Sequence, residues 1–145
     1  MTRNLKFVNH LGLVALAVCL SAGLGKAQNA YEGKFTLPFE AYWAGAVLPA
    51  GDYTFSIPSG NAPYLLYVRG EGKTAIIMAA GTDTKMISDH SQLTIVNKGG
   101  NQAITQLEAG QLGLAFEYSI PKLKKNLEAR SHPTVRSIPV STTGS

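Results

Sequence analysis

Apolar side chains alternate with polar ones along several stretches of this chain, and this two-residue period constrains the fold more than any other feature. Between residues 34 and 43 the odd positions are apolar and mostly aromatic. The same period recurs at 53–57 and at 112–120. Such a period predicts β-strands with one buried face. No helical period of useful length precedes Pro121, so the sequence predicts an all-β chain.

Turns rich in glycine and proline separate the predicted strands at spacings of about ten residues, which is typical of an antiparallel β-sandwich or a small barrel of about seven strands. Pro38 cannot donate to a ladder, so the first strand is predicted at a sheet edge or a bulge. Residues 64–69 and 74–80 are apolar on both faces, which predicts a central hairpin covered on both sides. Another hairpin is predicted at 93–107, with its turn at 97–101.

The segment Leu48-Pro49-Ala50-Gly51 is either a binding corner or a bend between two strands. Pro49 presets φ at the second position of a type I turn, and Gly51 tolerates positive φ after it. We therefore interpret the corner as a hairpin turn leading into the strand at 53–57.

The first 27 residues have the order of a secretory signal peptide, with a basic start, an apolar run and small residues before a cleavage site after Ala27. Attachment of a lipid to Cys19 is the alternative, which Val18 disfavours because such motifs usually carry a smaller residue there. Loss of Cys19 leaves a processed chain with no cysteine, so no disulfide stabilises it. We expect a secreted or periplasmic protein with no transmembrane helix after processing.

Processing at residue 27 of 145 leaves 118 residues, enough for one domain with its own core. We assign residues 28–121 to a β-domain of net charge −3 and residues 122–145 to a basic, partly disordered tail of net charge +4. The tail predicts a weak contact with an anionic envelope surface. Export makes nucleic acid an unexpected partner. The tail's basic residues are Lys122, Lys124, Lys125, Arg130 and Arg136.

A search for catalytic, metal-binding and cofactor-binding residues yields none. Ser88, Asp89 and His90 are adjacent in sequence, and adjacent residues do not in general reach the geometry of a catalytic triad. Asp83 adds a carboxylate to that loop without the spacing of a calcium or zinc site. The Gly-Lys-Thr at 72–74 precedes a predicted strand instead of a helix, so it is interpreted as a hairpin turn.

Two further groups of residues carry weak signals. Three glutamates lie on predicted strands, but any β-protein carries glutamates on its solvent-exposed face, so they are weak evidence for the paired carboxylates of a glycosidase. Four aromatic residues either line a cleft or pack in the core, and the core is favoured. These residues are Glu40, Glu108 and Glu117, and Tyr42, Trp43, Tyr53 and Tyr67.

The order of three motifs resembles a group of small secreted bacterial β-domain proteins with no assigned function. The motifs are FTLPFEA in the first strand, LPAGDY at 48–53 and LTI at 93–95. The resemblance spans about residues 35 to 130 and implies export and an all-β fold. It implies no catalytic residue.

We therefore expect an exported, non-catalytic β-domain whose role is binding or association with the cell envelope. Loops at 58–63 and 81–91 are the expected places for function. One alternative is a hydrolase that acts on envelope polymers. The other is a self-assembling structural subunit that pairs through the Pro38 strand or the tail.

Overall fold

The computed structural model describes residues 30–58, 60–70, 72–120 and 132–143. These residues form eleven β-strands and one short 3-10 helix, Gly110–Leu112, which confirms the predicted all-β class. The predicted signal peptide at 1–27 lies outside the described residues. The strands are β1 (Tyr31–Leu37), β2 (Ala41–Trp43), β3 (Ala46–Leu48), β4 (Gly51–Ile57), β5 (Leu65–Gly70), β6 (Lys73–Met78), β7 (Gly81–Thr84), β8 (Ser91–Lys98), β9 (Asn101–Ala109), β10 (Leu114–Glu117) and β11 (Thr134–Thr142).

The strands form a single curved sheet in the order β3-β2-β9-β8-β11-β1-β4-β5-β6, and β10 pairs with both β9 and β7. Pairing is antiparallel except for one parallel bridge between Tyr42 of β2 and Ala103 of β9. β6 leads directly into β7, and the Ala80 N–H donates to the Glu117 carbonyl of β10 over 2.8 Å. The sheet therefore rolls into a nearly closed barrel with two layers. We call β1, β4, β5 and β6 the front layer and β7 to β10 the back layer.

Aromatic side chains fill the space between the two layers. The Phe35 and Tyr53 rings stack with centroids 5.4 Å apart. Trp43, which has no exposed surface, packs edge-on against Phe35 at 5.7 Å and against Tyr118 at 5.3 Å. The predicted buried face of the alternating strands is therefore the core of the barrel.

The prediction that the Pro38 strand lies at a sheet edge or that Pro38 marks a bulge is wrong. β1 ends at Leu37 and pairs with β4 on one side and with β11 on the other. Pro38 lies in the bend beyond the last ladder pair, where the lack of an N–H group costs the ladder no hydrogen bond. The proline therefore ends a central strand.

The assignment of 122–145 to a partly disordered tail is corrected for residues 134–142, which form β11. β11 pairs with β8 over seven residues, from Thr134 with Asn97 to Val140 with Ser91, and with β1 over two. Val140 is the only buried side chain of the strand. Without an apolar alternation, the period gave no sign of this strand. Lys122, Lys124, Lys125 and Arg130 lie outside the described residues.

The Leu48 to Gly51 corner is a bend between strands that do not pair with each other. β3 pairs with β2, whereas β4 pairs with β1 and β5, so the predicted hairpin at this corner is wrong. The Tyr53 hydroxyl donates to the Pro49 carbonyl over 2.8 Å and holds the bend closed. A local turn motif does not specify which strand its ends pair with.

Two predicted hairpins are present. β8 and β9 pair across the turn at Gly99 and Gly100, and β5 and β6 pair across the turn that contains Gly72. The predicted cover on both faces of the β5–β6 hairpin is wrong, because Ile76 and Met78 are 63% and 60% exposed on its outer face. Ile77 is the only fully buried side chain of β6, and the half-buried Ala75 packs against the core beside it.

Candidate functional site

A polar groove crosses the outer face of β11, β1, β4 and β5. It consists of a depression of about 1040 Å³ and an adjoining one of about 270 Å³. Both are lined by Lys34, Thr54 and Arg69. These three residues therefore form the centre of the groove.

Strand register explains why these three side chains meet. Lys34 of β1 lies opposite Thr54 of β4, which lies opposite Arg69 of β5. Side chains alternate between the two faces of a strand. Each of the three residues is next in sequence to a buried one, Phe35, Phe55 or Val68, so its own side chain points outward. Neighbouring strands are about 4.8 Å apart, which places the backbones of Lys34 and Arg69 about 10 Å from each other.

Rows of polar residues flank this central row on both sides. On one side Thr36 lies opposite Asp52, and the Thr36 hydroxyl donates to the Asp52 carboxylate over 2.5 Å. On the other side Glu32 lies opposite Ser56, and Ser56 lies opposite the half-buried Tyr67. The groove therefore offers hydroxyls, carboxylates and cations on one face of a sheet.

Neither cation of the groove is paired with a carboxylate among the described residues. An ion pair joins Lys85 to Asp83 at 2.9 Å, in the back layer of the barrel. As far as the described residues are concerned, the side-chain N–H groups of Lys34 and Arg69 are consequently available to a ligand.

The groove stands on tightly packed strands. A Cβ atom on Gly33 would lie 2.6 Å from the Phe55 ring, so the ring occupies the space beside the glycine. The Tyr53 ring occupies the corresponding space beside Gly70. Rings fixed against the main chain of β1 and β5 hold the outward residues in place, and sites on such strands are positioned more precisely than sites on loops.

A buried polar contact joins β1 to the back layer. The Tyr31 and Ser91 hydroxyl oxygens are 2.7 Å apart, and Ser91 Oγ also accepts from the Gly110 N–H over 3.1 Å. Burial raises the pKa of the Tyr31 phenol, an effect that the hydrogen bond with Ser91 partly offsets. Burial also raises the pKa values of Tyr53 and Tyr118. These phenols therefore stay protonated and act as structural groups.

The residues considered for chemistry do not assemble into a site within the described ranges. The Ser88 hydroxyl donates to the main-chain carbonyl of His90 over 3.1 Å. No group of three metal-ligating side chains occurs in the part of the chain that the structure describes. Gly72 lies in the turn between β5 and β6, and Lys73 and Thr74 begin β6, so the Gly-Lys-Thr segment belongs to a hairpin, as predicted. Glu108 accepts a hydrogen bond from Gln92 over 3.0 Å.

The four aromatic candidates divide between the core and the surface. Trp43 and Tyr53 are buried, as favoured by the sequence, whereas Tyr42 and Tyr67 are half-buried. Tyr67 alone of the two half-buried rings lines the groove. Its sequence context, LLYVR, gives no sign of this position.

The loop expected to carry function at 81–91 forms β7 and a connection that exposes two apolar side chains. Met86 and Ile87 are 89% and 78% exposed. The connection is fixed by main-chain hydrogen bonds from Lys85 to Gly113 and from Ser88 to Gly110, each of 2.9 Å. A hydrogen bond and charge attraction from Lys85 lower the pKa of Asp83.

Sequence reasoning missed the groove because its residues come from four strands spread over more than 100 positions. Each strand alone shows an ordinary wet face. The signal lies in the pairing register, which places Lys34, Thr54 and Arg69 in one row.

Among the described residues, no helix is both long enough and apolar enough to cross a membrane. Comparisons with protein-family models, with curated proteins and with solved structures found no match to this chain.

Proposed function

We propose that the protein is an exported, non-catalytic binding domain that associates with the cell envelope through the polar groove. The observation that carries this proposal is the pair of cations, Lys34 and Arg69, which line the groove without a carboxylate partner among residues 30–58, 60–70, 72–120 and 132–143. Side-chain donors held on a rigid sheet suit recognition, because little conformational entropy is lost when a ligand binds.

Export is the part of the proposal that rests on the sequence alone. The basic start, the apolar run and the small residues before Gln28 support cleavage after Ala27. Fractionation of cells, followed by sequencing of the mature N-terminus, tests it. A full-length chain in the cytoplasmic fraction contradicts export.

The basic residues of 122–145 support a second, weaker contact with an anionic surface. Of these residues, Arg136 lies exposed on β11. Attraction of this kind is screened by salt over a distance of about 8 Å at physiological ionic strength. High salt is therefore expected to weaken this contact more than binding in the groove, so the salt dependence of binding distinguishes the two.

Cosedimentation with an isolated envelope fraction at about 0.5 M salt tests the groove. We expect the double variant Lys34→Ala/Arg69→Ala to lose at least about tenfold in affinity, which corresponds to the loss of about one charge-assisted hydrogen bond at the low end of its range. The matched control is Lys85→Ala/Lys98→Ala, which removes the same charge from the back layer. Equal binding by the two double variants contradicts the proposal.

Self-assembly is a second candidate, favoured by the exposed Ile76 and Met78 on β6. Within the described residues, β6 forms a ladder only with β5, and an edge strand with apolar side chains invites pairing with another chain. Of the contacts expected from the sequence, the Pro38 strand and the β11 part of the tail are internal strands, so neither offers a free edge. Sedimentation over a range of concentrations tests this candidate, and a monomer throughout removes it.

The hydrolase alternative has no observation in its favour among the described residues. His90 is exposed, and the hydrogen bond from Ser88 goes to its main-chain carbonyl instead of its imidazole. A nucleophile needs a base within hydrogen-bond reach.

A further inference from the structure

We infer that the ligand of the polar groove is an uncharged, hydroxyl-rich saccharide chain that lies across β1, β4 and β5. This inference rests on the proposed function and names the class of ligand for the same groove. Three properties of the groove carry it: its charge balance, its mixture of donors and acceptors, and its apolar surfaces.

The charges of the described residues that line the groove balance. Lys34 and Arg69 contribute two positive charges, and Glu32 and Asp52 contribute two negative ones on the same face. A polyanion would gain from the two cations and be repelled by the two carboxylates, so it would find no net attractive field. The balance favours an uncharged ligand that approaches both kinds of group.

The donors and acceptors also alternate from row to row. Lysine and arginine only donate, ionised carboxylates only accept, and hydroxyl groups do both. Thr36, Thr54 and Ser56 lie between the charged groups. A saccharide hydroxyl both donates and accepts, so it satisfies each of these groups, whereas an ionised phosphate or carboxylate offers no donor of its own to Asp52 and Glu32.

Apolar surfaces border the polar rows at both sides of the groove. Tyr67 is half-buried at the β5 side, and Ile138 and Pro139 line the β11 side. Ligand sites combine apolar walls with a few convergent polar groups, and an aromatic face packs well against the C–H groups of a sugar ring. The groove therefore matches an extended chain that has both polar and apolar edges.

The test uses the full mature chain and two hexasaccharides of equal length, neutral cellohexaose and acidic hexagalacturonate. Calorimetric titration at about 50 mM and about 500 mM NaCl measures each affinity, since the Debye length shortens more than threefold between these concentrations. We expect cellohexaose to bind with an affinity that changes by less than about twofold with salt. We expect hexagalacturonate to bind more weakly.

The variant Asp52→Asn separates the two ligand classes. Loss of a carboxylate acceptor weakens the binding of a saccharide hydroxyl by about fivefold to tenfold, whereas it strengthens the binding of an anion. Tyr67→Ala is expected to weaken cellohexaose binding by at least about tenfold. Met86→Ser/Ile87→Ser, a change of two exposed apolar residues away from the groove, is the control and leaves binding unchanged. Circular dichroism of each variant checks that the fold is retained.

The inference is overturned if hexagalacturonate binds more tightly and with strong salt dependence, or if Asp52→Asn strengthens binding. It is also overturned if neither sugar binds at about 5 mM, a concentration at which even millimolar affinity is visible. The proposed function survives either result if envelope binding still depends on Lys34 and Arg69. If envelope binding does not depend on them, the proposed function itself fails.

Discussion

β4 and β11 are the two neighbours of β1, and they reach that position for different reasons. β4 turns Tyr53, Phe55 and Ile57 into the core and pairs with β1 over seven residues. β11 buries only Val140 and pairs with β1 over two residues. A strand therefore takes a central position through its buried side chains in the case of β4 and through its main-chain pairing in the case of β11.

Main-chain pairing explains the position of β11. Without it, β1 and β8 would each have an unpaired edge, one at the end of the front layer and the other at the end of the back layer. Unpaired N–H and C=O groups are costly when buried and prone to intermolecular pairing when exposed. Pairing requires only an extended backbone, so β11 can occupy the position between β1 and β8 although most of its side chains are exposed.

The largest expected effect comes from removal of β11. A chain that stops before His132 loses the seven pairs with β8 and the two pairs with β1. We expect it to show no cooperative thermal unfolding and to form oligomers through the uncovered edges of β1 and β8. Circular dichroism and size-exclusion chromatography measure both properties.

The control for this truncation is Val135→Ser, which changes an exposed side chain of β11 and keeps the main chain. Its thermal midpoint should match that of the parent protein. A folded, monomeric truncated chain would show that β11 only covers a barrel that is already stable.

The next largest effect is the difference between the core contacts of β4 and those of β11. Phe55 of β4 is 3% exposed, and its truncation in Phe55→Ala should lower the free energy of unfolding by about 3 to 5 kcal/mol. Val140 of β11 is 8% exposed, and Val140→Ala should lower it by about 1 to 2 kcal/mol, the loss of two buried methyl groups. Denaturant unfolding measures both. Equal losses would remove the distinction between the two strands.

A smaller effect is expected at Gly33 of β1, which touches both neighbours. An added Cβ would lie 2.6 Å from the Phe55 ring and 3.1 Å from Val140 Cγ1. Gly33→Ala should therefore cost about 1 to 3 kcal/mol through overpacking. In the Phe55→Leu background the loss should shrink, because the clashing ring is absent. An unchanged loss would assign the effect to the main chain instead of the ring.

The smallest effect is a dependence of stability on alkaline pH. Tyr31 of β1 contacts Ser91 of β8, and burial raises the pKa of its phenol above the unfolded value of about 10. The folded protein therefore holds this proton more tightly, so the stabilisation is complete below pH 10 and is lost as pH rises through the folded pKa. The free energy of unfolding, measured from pH 8 to 12, should fall less steeply in Tyr31→Phe. Identical slopes would contradict the assignment.

The sequence predicted the strands whose side chains alternate. β1, β4 and β8 each turn every second residue inward, and a local two-residue period is enough to find such strands. β2, β3 and β7 have three or four residues each, too few for a period, and β11 lacks one. The predicted total of about seven strands is therefore lower than the eleven observed.

The groove illustrates the same limit at the level of function. Lys34 and Arg69 were visible as basic residues on predicted strands, and the expected places for function were the loops at 58–63 and 81–91. These two side chains, 35 positions apart in the sequence, meet only because β4 pairs with both of their strands. Nothing in the residues around either cation specifies that pairing.

The sequence by itself determined that the chain is all-β and which faces of its alternating strands are buried, because the transfer of apolar side chains from water follows from a local pattern. The tertiary structure decided that β11 enters the middle of the sheet, that the 48–51 corner joins separate ladders, and that Lys34, Thr54 and Arg69 share one groove. The physical reason is that strands pair through main-chain groups, which are nearly the same in every residue. Their partners are therefore fixed only when the whole sheet closes.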